Sequence, residues 1–153
     1  MAIALTLRKY LAENGVAFDT VPHTHTTNSM NSAQAAHIPG QNLAKSVILE
    51  DVDGYLMAVI PANEHVKLTK VYHALNRDMG LATEPELESL FSDCELGAIP
   101  AVGKAYSMET IVDNKLADCP DVYLEAGDHE ELVHIKGSSY KRLTRNSSHA
   151  EIC

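Results

Sequence analysis

The sequence predicts an α+β domain with a mixed, largely antiparallel central sheet flanked by short helices. Segments with helical spacing alternate with short apolar runs, a pattern typical of helices packed on a mixed sheet. An Asp53-Gly54 pair separates the apolar runs 43–49 and 55–60, as expected for two adjacent antiparallel strands. Because both faces of these strands are mainly apolar, we expect the pair to lie in the middle of the sheet.

Two helices and one short strand are predicted before this hairpin. Residues 5–14 have the spacing of a helix, and residues 16–21 can form a short strand. A second helix is expected over 30–37. Either Asn28 or Ser29 can cap it, because both side chains can accept a hydrogen bond from a free N–H at a helix start.

After the hairpin, the sequence predicts helices that begin near Thr69 and Thr83, the second with early acidic residues that favour a helix N-terminus. A loop that contains glycine and proline follows over 97–103. The remaining predicted elements are strands over 110–113, 122–126 and 132–135, a short helix opened by Ser138 or Ser139, and a polar, frayed tail from Thr144 to Cys153. The chain is therefore expected to form one domain over residues 1–143, followed by the tail over 144–153.

Composition and charge exclude several classes of protein. Apolar residues make up 45% of the 153 residues and charged residues 22%, values typical of a soluble globular chain. No run approaches the ~20 apolar residues of a membrane span. The net charge of −9 argues against a protein that coats DNA, whose surface would be basic, but it is compatible with one that grasps only the end of a nucleic acid. The three cysteines are widely spaced, which favours a reducing compartment. We therefore expect a cytoplasmic protein that binds neither membrane nor DNA.

Lys45 is the first candidate for chemistry, because it interrupts the apolar run of a central strand. A buried ammonium group is costly unless it is paired or used. The alternative is a lysine near a strand end whose stem packs while its ammonium group reaches water.

The loop 97–103 is the second candidate. Its glycines allow backbone N–H groups to approach a ligand closely, although an ordinary turn would have a similar composition. No nucleophile motif and no phosphate-binding loop is present. His129 and His134 are five residues apart, so they diverge both on a helix and on a strand. No metal and no cofactor is therefore expected.

Several segments together resemble a known family. They are, in chain order, Leu43-Ala44-Lys45-Ser46-Val47-Ile48-Leu49, Pro61-Ala62-Asn63, Gly97-Ala98-Ile99-Pro100-Ala101-Val102-Gly103, Val112-Asp113 and Ala126-Gly127. Their order and spacing resemble the YbaK/prolyl-tRNA-synthetase-associated domain family from about Tyr10 to Leu143. The resemblance implies the fold given above and a trans-acting aminoacyl-tRNA deacylase, an enzyme that hydrolyses the ester joining a wrong amino acid to tRNA.

The resemblance also implies the site residues. Lys45 is expected to position the aminoacyl ester and stabilise charge, and Gly97 matches the glycine of the family's G-x-x-x-P loop. In this chain the proline comes one place early, at Pro100, and Ala101 occupies the fifth position. This departure bears on loop shape and substrate choice. The further expected substrate-binding residues are His25, Thr26 and Met30 as walls near the lysine, the loop residues Ala98, Ile99, Pro100 and Ala101, and Asp128 and His129.

The implied partners are the acceptor end of an aminoacyl-tRNA and, in addition, an aminoacyl-tRNA synthetase, with no cofactor. The basic residues Lys136, Lys141, Arg142 and Arg145 lie in a stretch without acids, which is either a solubilising terminal segment or a contact for tRNA phosphates. A different class of function is also compatible with the fold. The chain could be a non-catalytic module that binds an aminoacyl or nucleotide end, or a partner protein.

Overall fold

The structure, a computed structural model, describes residues 3–153. The helices are α1 (Leu5–Glu13), α2 (Ser29–Ala35), α3 (Leu68–Leu75), α4 (Glu84–Leu90) and α5 (Gly137–Leu143). The strands are β1 (Asp19–Pro22), β2 (Leu43–Asp51), β3 (Gly54–Pro61), β4 (Gly80–Leu81), β5 (Glu109–Asp113), β6 (Asp121–Glu125), β7 (Glu131–Lys136) and β8 (Ser148–Ala150). Within residues 3–153 these strands form one mixed sheet in the order β1-β7-β6-β2-β3-β5-β8, with β4 beside β2. Most pairings are antiparallel, and the predicted α+β fold is confirmed.

The β2–β3 hairpin lies in the middle of this sheet. Its antiparallel pairing runs from Ala44↔Pro61 to Asp51↔Gly54. Gly54 has a φ of 132° at the turn, a conformation that other residues rarely adopt. On the outer edges of the hairpin, β6 pairs in parallel with β2 and β5 pairs in parallel with β3. The turn signal and the central position predicted for this hairpin are both confirmed.

Apolar side chains on both faces of the hairpin form the core. Side chains alternate along a strand, so one face of the hairpin meets α1 and the other meets α3. Buried on the α1 face are Ala44, Ile48, Met57 and Val59 with Leu7 and Leu11. Buried on the α3 face are Leu49, Leu56, Ala58 and Ile60 with Val71 and Ile152. Full burial of one such large side chain stabilises the fold by about 1.5–3 kcal/mol relative to exposure, so both faces contribute.

A single side chain fixes the start of α2. The Asn28 Oδ1 accepts a hydrogen bond from the Asn31 N–H at 2.9 Å, the geometry of an N-cap. This decides between the two predicted cap residues in favour of Asn28. Ser29 is instead the first helical residue, and it is buried.

The helices are short, and α1, with 9 residues, is the longest of those described. Within residues 3–153, none has both the length and the apolar character needed to cross a membrane.

The C-terminal segment differs from the prediction. Residues Ser148–Ala150 form β8, which pairs in parallel with β5. Ile152 is fully buried, its N–H donates to Oδ2 of Asp113 at 2.8 Å, and its carbonyl oxygen accepts from the Lys67 N–H at 2.7 Å. The prediction of a polar, frayed tail over 144–153 is therefore wrong. Ile152 covers the apolar α3 face, and the free edge of β5 supplies hydrogen bonds to β8.

Candidate functional site

The sheet opens beside β2. Strands β2 and β6 pair only at Leu43↔Tyr123 and Ala44↔Leu124, and the same edge of β2 pairs again only at Leu49 and Glu50, with β4. Between these points, residues 45–47 pair with no strand on that edge in the described part of the chain. The loop 97–103 lies there instead. Backbone groups at such an opening are not consumed by strand pairing, so they can contact a loop or a ligand.

Lys45 borders this opening at the point where β2 leaves β6. Its Nζ donates to the carbonyl oxygens of Ala62, at 3.3 Å, and Glu64, at 2.9 Å. An ammonium group has three N–H donors, so one remains unused by residues 3–153. Lys45 lines a cavity of about 350 Å³ together with Asn28, Ser29, Met30, Ala62, Asn63 and His65. Partial burial lowers the pKa of the Lys45 amine, while Cys153 and Glu64 act in the opposite direction.

The loop 97–103 is held in a fixed shape. The hydroxyl of the buried Tyr140 donates to the Ala101 carbonyl oxygen at 2.7 Å. Gly97 has a φ of 81°, and a Cβ at this position would lie 2.9 Å from the Thr27 carbonyl oxygen. Both facts restrict the position to glycine. The Gly97 N–H has no acceptor within residues 3–153, so it is available as a hydrogen-bond donor.

A second concave surface, a groove of about 450 Å³, borders the same loop. It is lined by His25, Thr26, Thr27, Glu88, Cys94, Glu95, Leu96 and His129. His129 has a φ of 59°, and its Nε2 donates to the Leu96 carbonyl oxygen at 2.6 Å. The His25 ring packs edge-on against the His129 ring, with 5.8 Å between centroids. The His25 Nε2 lies 3.2 Å from the Glu95 carboxylate.

Sequence analysis missed a buried polar cluster beside this groove. Glu125 is only 1% exposed, and its Oε2 accepts from the Ser29 hydroxyl at 3.1 Å. The His129 Nδ1 lies 3.9 Å from the same oxygen. Burial raises the pKa of Glu125 to about 7, although the Ser32 and Ser29 hydroxyls act in the opposite direction. The sequence contained a signal for Glu125. This charged residue ends the apolar run of β6, just as Lys45 interrupts the apolar run of β2.

The structure distributes the predicted site residues over two places. Met30 lies with Lys45, whereas His25 and Thr26, expected near the lysine, lie with His129. Asp128 is buried in the turn after β6, where its Oδ1 accepts from the N–H groups of Glu130 and Glu131. The predicted loop residues Ala98, Ile99, Pro100 and Ala101 all have buried side chains.

Lys45 and the loop 97–103 border the same opening, but no hydrogen bond joins them within residues 3–153. Instead, the Ser46 hydroxyl donates to the Ile99 carbonyl oxygen at 3.0 Å. Consecutive strand residues point to opposite faces, so Lys45 faces α2 while Ser46 faces the loop. The segment from Thr27 to Met30 connects the two places, since Thr27 touches the Gly97 position and Met30 lines the Lys45 cavity.

The histidines singled out in the sequence do not converge. His134 lies on β7, where its ring nitrogens are 3.3 Å from Asp19 and 2.8 Å from Asp121, whereas His129 is buried beside Glu125. In the part of the chain that is described, no group of three or more His, Cys, Asp or Glu side chains could hold a metal ion.

A protein-family model covers most of the chain. The family model for the aminoacyl-tRNA editing domain matches residues 22–143. No curated protein matches the sequence.

Solved structures share the fold at low sequence identity. A protein proposed as a trans-editing enzyme for prolyl-tRNA synthetase has 20% identity and a TM-score of 0.82, with 97% of this chain and 95% of that chain covered. A hypothetical protein has 17% identity and a TM-score of 0.82, with 96% and 98% covered. A protein from Marinobacter aquaeolei VT8 proposed to act in signal transduction has 19% identity and a TM-score of 0.79, with 97% of this chain but 30% of that chain covered. At these identities the likeness concerns the fold alone.

Proposed function

Because the chain belongs to the aminoacyl-tRNA editing domain family, we propose that it hydrolyses the ester bond of a mischarged aminoacyl-tRNA. The observation that carries this proposal is the opening beside β2, which is bordered by two unused hydrogen-bond donors. One is the third N–H of Lys45, and the other is the backbone N–H of Gly97. Donors held in place before the reaction are what an ester carbonyl needs when negative charge develops on its oxygen.

The reaction requires no nucleophilic side chain. Water adds to the ester carbonyl carbon, and the carbonyl oxygen becomes an oxyanion that Lys45 and the Gly97 N–H stabilise. The intermediate then collapses, the carbon–oxygen bond to the ribose breaks, and a proton passes from the added water to the ribose oxygen. The products are the free amino acid and the tRNA. Removal of one such donor typically lowers kcat by about 10²–10³.

The concave surfaces at the opening have the size to sort substrates by shape. A synthetase cannot strongly reject an amino acid that is one methylene smaller, because the difference amounts to only ~1–3 kcal/mol. A second, smaller site that hydrolyses whatever fits restores accuracy. We assign Met30 to the wall of the Lys45 cavity and His25, Thr26 and His129 to the wall of the groove beside Gly97. Asp128 shapes the turn that carries His129.

The departure from the G-x-x-x-P pattern is compatible with this role. Ala98, Ile99, Pro100 and Ala101 have buried side chains, so these residues would act through the backbone. The Tyr140 hydroxyl holds the Ala101 carbonyl, which restrains the loop at the position where the family has proline. The implied partner is the acceptor end of an aminoacyl-tRNA, with an aminoacyl-tRNA synthetase as a second partner.

The test is deacylation of alanyl-, cysteinyl-, seryl- and prolyl-tRNA by wild type, Lys45→Ala and Lys104→Ala. Lys104 is exposed and lines neither the Lys45 cavity nor the groove, so its replacement controls for loss of one positive charge. We expect one ester to be hydrolysed, an about 10²–10³-fold lower kcat/KM for Lys45→Ala, and no change for Lys104→Ala. Thermal unfolding of each variant verifies folding. Full activity of a folded Lys45→Ala would refute the assignment, and binding of tRNA without turnover would favour the non-catalytic module.

A further inference from the structure

A cluster of buried polar side chains beside Gly97 takes no part in the bond-making and bond-breaking steps described above. Glu125 and His129 expose only 1% and 2% of their surface, and Ser29 and Ser32 expose 4% and 0%. Buried polar atoms are almost always hydrogen-bonded. Nevertheless, Glu125 Oε1 and His129 Nδ1 have no hydrogen-bond partner within residues 3–153.

His129 sets the orientation of the peptide bond that precedes Gly97. Its Nε2 lies 2.6 Å from the Leu96 carbonyl oxygen. A carbonyl oxygen only accepts, so Nε2 carries a proton. The C=O and N–H of a trans peptide point in opposite directions, so this hydrogen bond directs the Gly97 N–H away from His129.

The proton on Nε2 determines what His129 can offer to Glu125. Its Nδ1 is either a bare acceptor or a second donor. It faces the Glu125 Oε2 at 3.9 Å, longer than a hydrogen bond but close enough for electrostatic interaction. An ionised Glu125 opposite a bare Nδ1 would place two acceptors against each other in a buried site, which is costly. Protonation of either the carboxyl or the ring nitrogen removes this conflict. The other charged groups that face Glu125 are His23 and Asp128.

We propose that Glu125 is a positioning residue whose protonation determines how His129 holds the Leu96–Gly97 peptide, so that the Gly97 N–H points into the site. This proposal rests on the proposed function, because it gives that N–H a role in stabilising the oxyanion. Burial raises the pKa of Glu125 to about 7, so the proton is present below about pH 7 and is lost above it.

The same carboxyl also reaches the Lys45 side of the opening. Ser29 donates to Glu125 Oε2 at 3.1 Å and at the same time lines the Lys45 cavity. Ser32, one turn later on α2, lies beside Glu125 and is hydrogen-bonded to Thr26 at 2.7 Å. Glu125 therefore contacts both the helix that borders Lys45 and the histidine that orients Gly97.

Glu125→Gln is the informative variant, because its amide reproduces the protonated carboxyl at every pH. Ser29 and His129 Nδ1 both face the Oε2 position, and an amide NH₂ placed there can donate to the His129 Nδ1 and to the Ser29 hydroxyl oxygen. Glu130→Gln is the matched control. It removes one negative charge from the same β6–β7 turn, and no side-chain contact of Glu130 belongs to the cluster.

The first measurement does not depend on activity. The Gly97 amide resonance and the His129 ring nitrogens are followed by NMR from about pH 5.5 to about pH 8.5, a range that spans the raised Glu125 pKa. In wild type and Glu130→Gln, we expect the Gly97 amide to shift with a midpoint near pH 7. In Glu125→Gln we expect it to stay constant. An identical titration of Gly97 in wild type and Glu125→Gln would overturn the proposal.

The second measurement is kcat/KM for the ester found in the tRNA panel. The ratio of Glu125→Gln to wild type should rise about tenfold from pH 6 to pH 8, since a group with a pKa of about 7 is mostly protonated at the first pH and mostly ionised at the second. Any dependence on hydroxide cancels in this ratio. The kcat/KM of Glu125→Ala should be about 10²-fold below that of wild type at pH 6. If Glu125→Ala does not fold, the kcat/KM ratio of Glu125→Gln alone tests the proposal.

The two proposals fail in different ways. If an ester is hydrolysed but the ratio stays flat with pH, the role of Glu125 is refuted and the deacylase stands. If no ester is hydrolysed but the Gly97 amide titrates through Glu125, the positioning of Gly97 is supported and the deacylase is refuted.

Discussion

Replacement of Glu125 by glutamine isolates the effect of one buried carboxyl on stability. The carboxyl is 1% exposed, and burial raises its pKa from 4.5 to about 7. Glutamine has nearly the same shape, keeps a hydrogen-bonding group for the Ser29 hydroxyl and does not titrate. The difference in free energy of unfolding between wild type and variant therefore reports how strongly the folded chain prefers a protonated Glu125, while all other titrations cancel.

The direction of the pKa change fixes the sign. Below pH 4.5 Glu125 is protonated in both the folded and the unfolded chain, so it adds no pH dependence. Between pH 4.5 and about 7 the unfolded chain releases the proton and the folded chain retains it, so the wild-type free energy of unfolding falls as pH rises. Above about pH 7 both states are ionised and the loss is complete. At about 1.36 kcal/mol per pH unit, the wild-type free energy of unfolding falls by about 3 kcal/mol over this interval.

Urea unfolding at pH 4.5 and pH 8 measures this difference for wild type, Glu125→Gln and the control Glu130→Gln. At each pH we take the free energy of unfolding of Glu125→Gln minus that of wild type. This difference should be about 3 kcal/mol larger at pH 8 than at pH 4.5. With the urea dependence usual for small domains, this moves the relative midpoint by roughly 1–3 M. The control should follow wild type at both pH values. If Glu125→Gln also follows wild type, Glu125 does not retain a proton in the folded chain, and the reasoning is refuted.

Two further predictions concern the C-terminal segment and the contact with tRNA. Ile152→Ala should lower the free energy of unfolding by about 2–5 kcal/mol, because Ile152 is fully buried on the α3 face. If urea unfolding shows that the free energy of unfolding falls by less than about 0.5 kcal/mol, as at an ordinary surface position, the C-terminal segment does not pack on the α3 face. Lys141→Ala should weaken tRNA binding and reduce the salt slope of the affinity by about one, because Lys141 is exposed on α5, the helix whose Tyr140 holds the loop. An unchanged slope in binding titrations at several salt concentrations would remove Lys141 from the tRNA contact.

The parts of the fold that depend on local sequence could be predicted. The Asp53-Gly54 turn and the two apolar runs around it specify the β2–β3 hairpin, because a turn signal fixes which residues pair. Thr83 and Glu86 form a reciprocal capping box at the start of α4, which is also a local interaction. In both cases the residues that specify the element are within a few positions of the element itself.

The parts that depend on distant partners could not be predicted. Ser148–Ala150 is a polar triplet with no strand pattern, and it becomes β8 because β5 offers a free edge and Asp113 binds the Ile152 N–H. Alternation along β2 predicts that Lys45 and Ser46 face opposite sides. Which of them meets the loop 97–103, however, depends on how β6 and β4 flank β2, and one sequence alone does not contain this information.

The position of the candidate site follows from two charged residues in apolar strands. Parallel pairing of β2 and β6 stops at Ala44↔Leu124, and the next residues in this register are Lys45 and Glu125. Leu43 and Tyr123 pack in one cluster on the α2 face, and strand alternation places Lys45 and Glu125 on that same face. They nevertheless form no ion pair within residues 3–153, because Lys45 bonds to carbonyl oxygens beyond β3 whereas Glu125 is held by Ser29 of α2. The two strands separate at these residues. The residues that end the pairing are thus the same ones that supply the opening with a free donor and a buried acid.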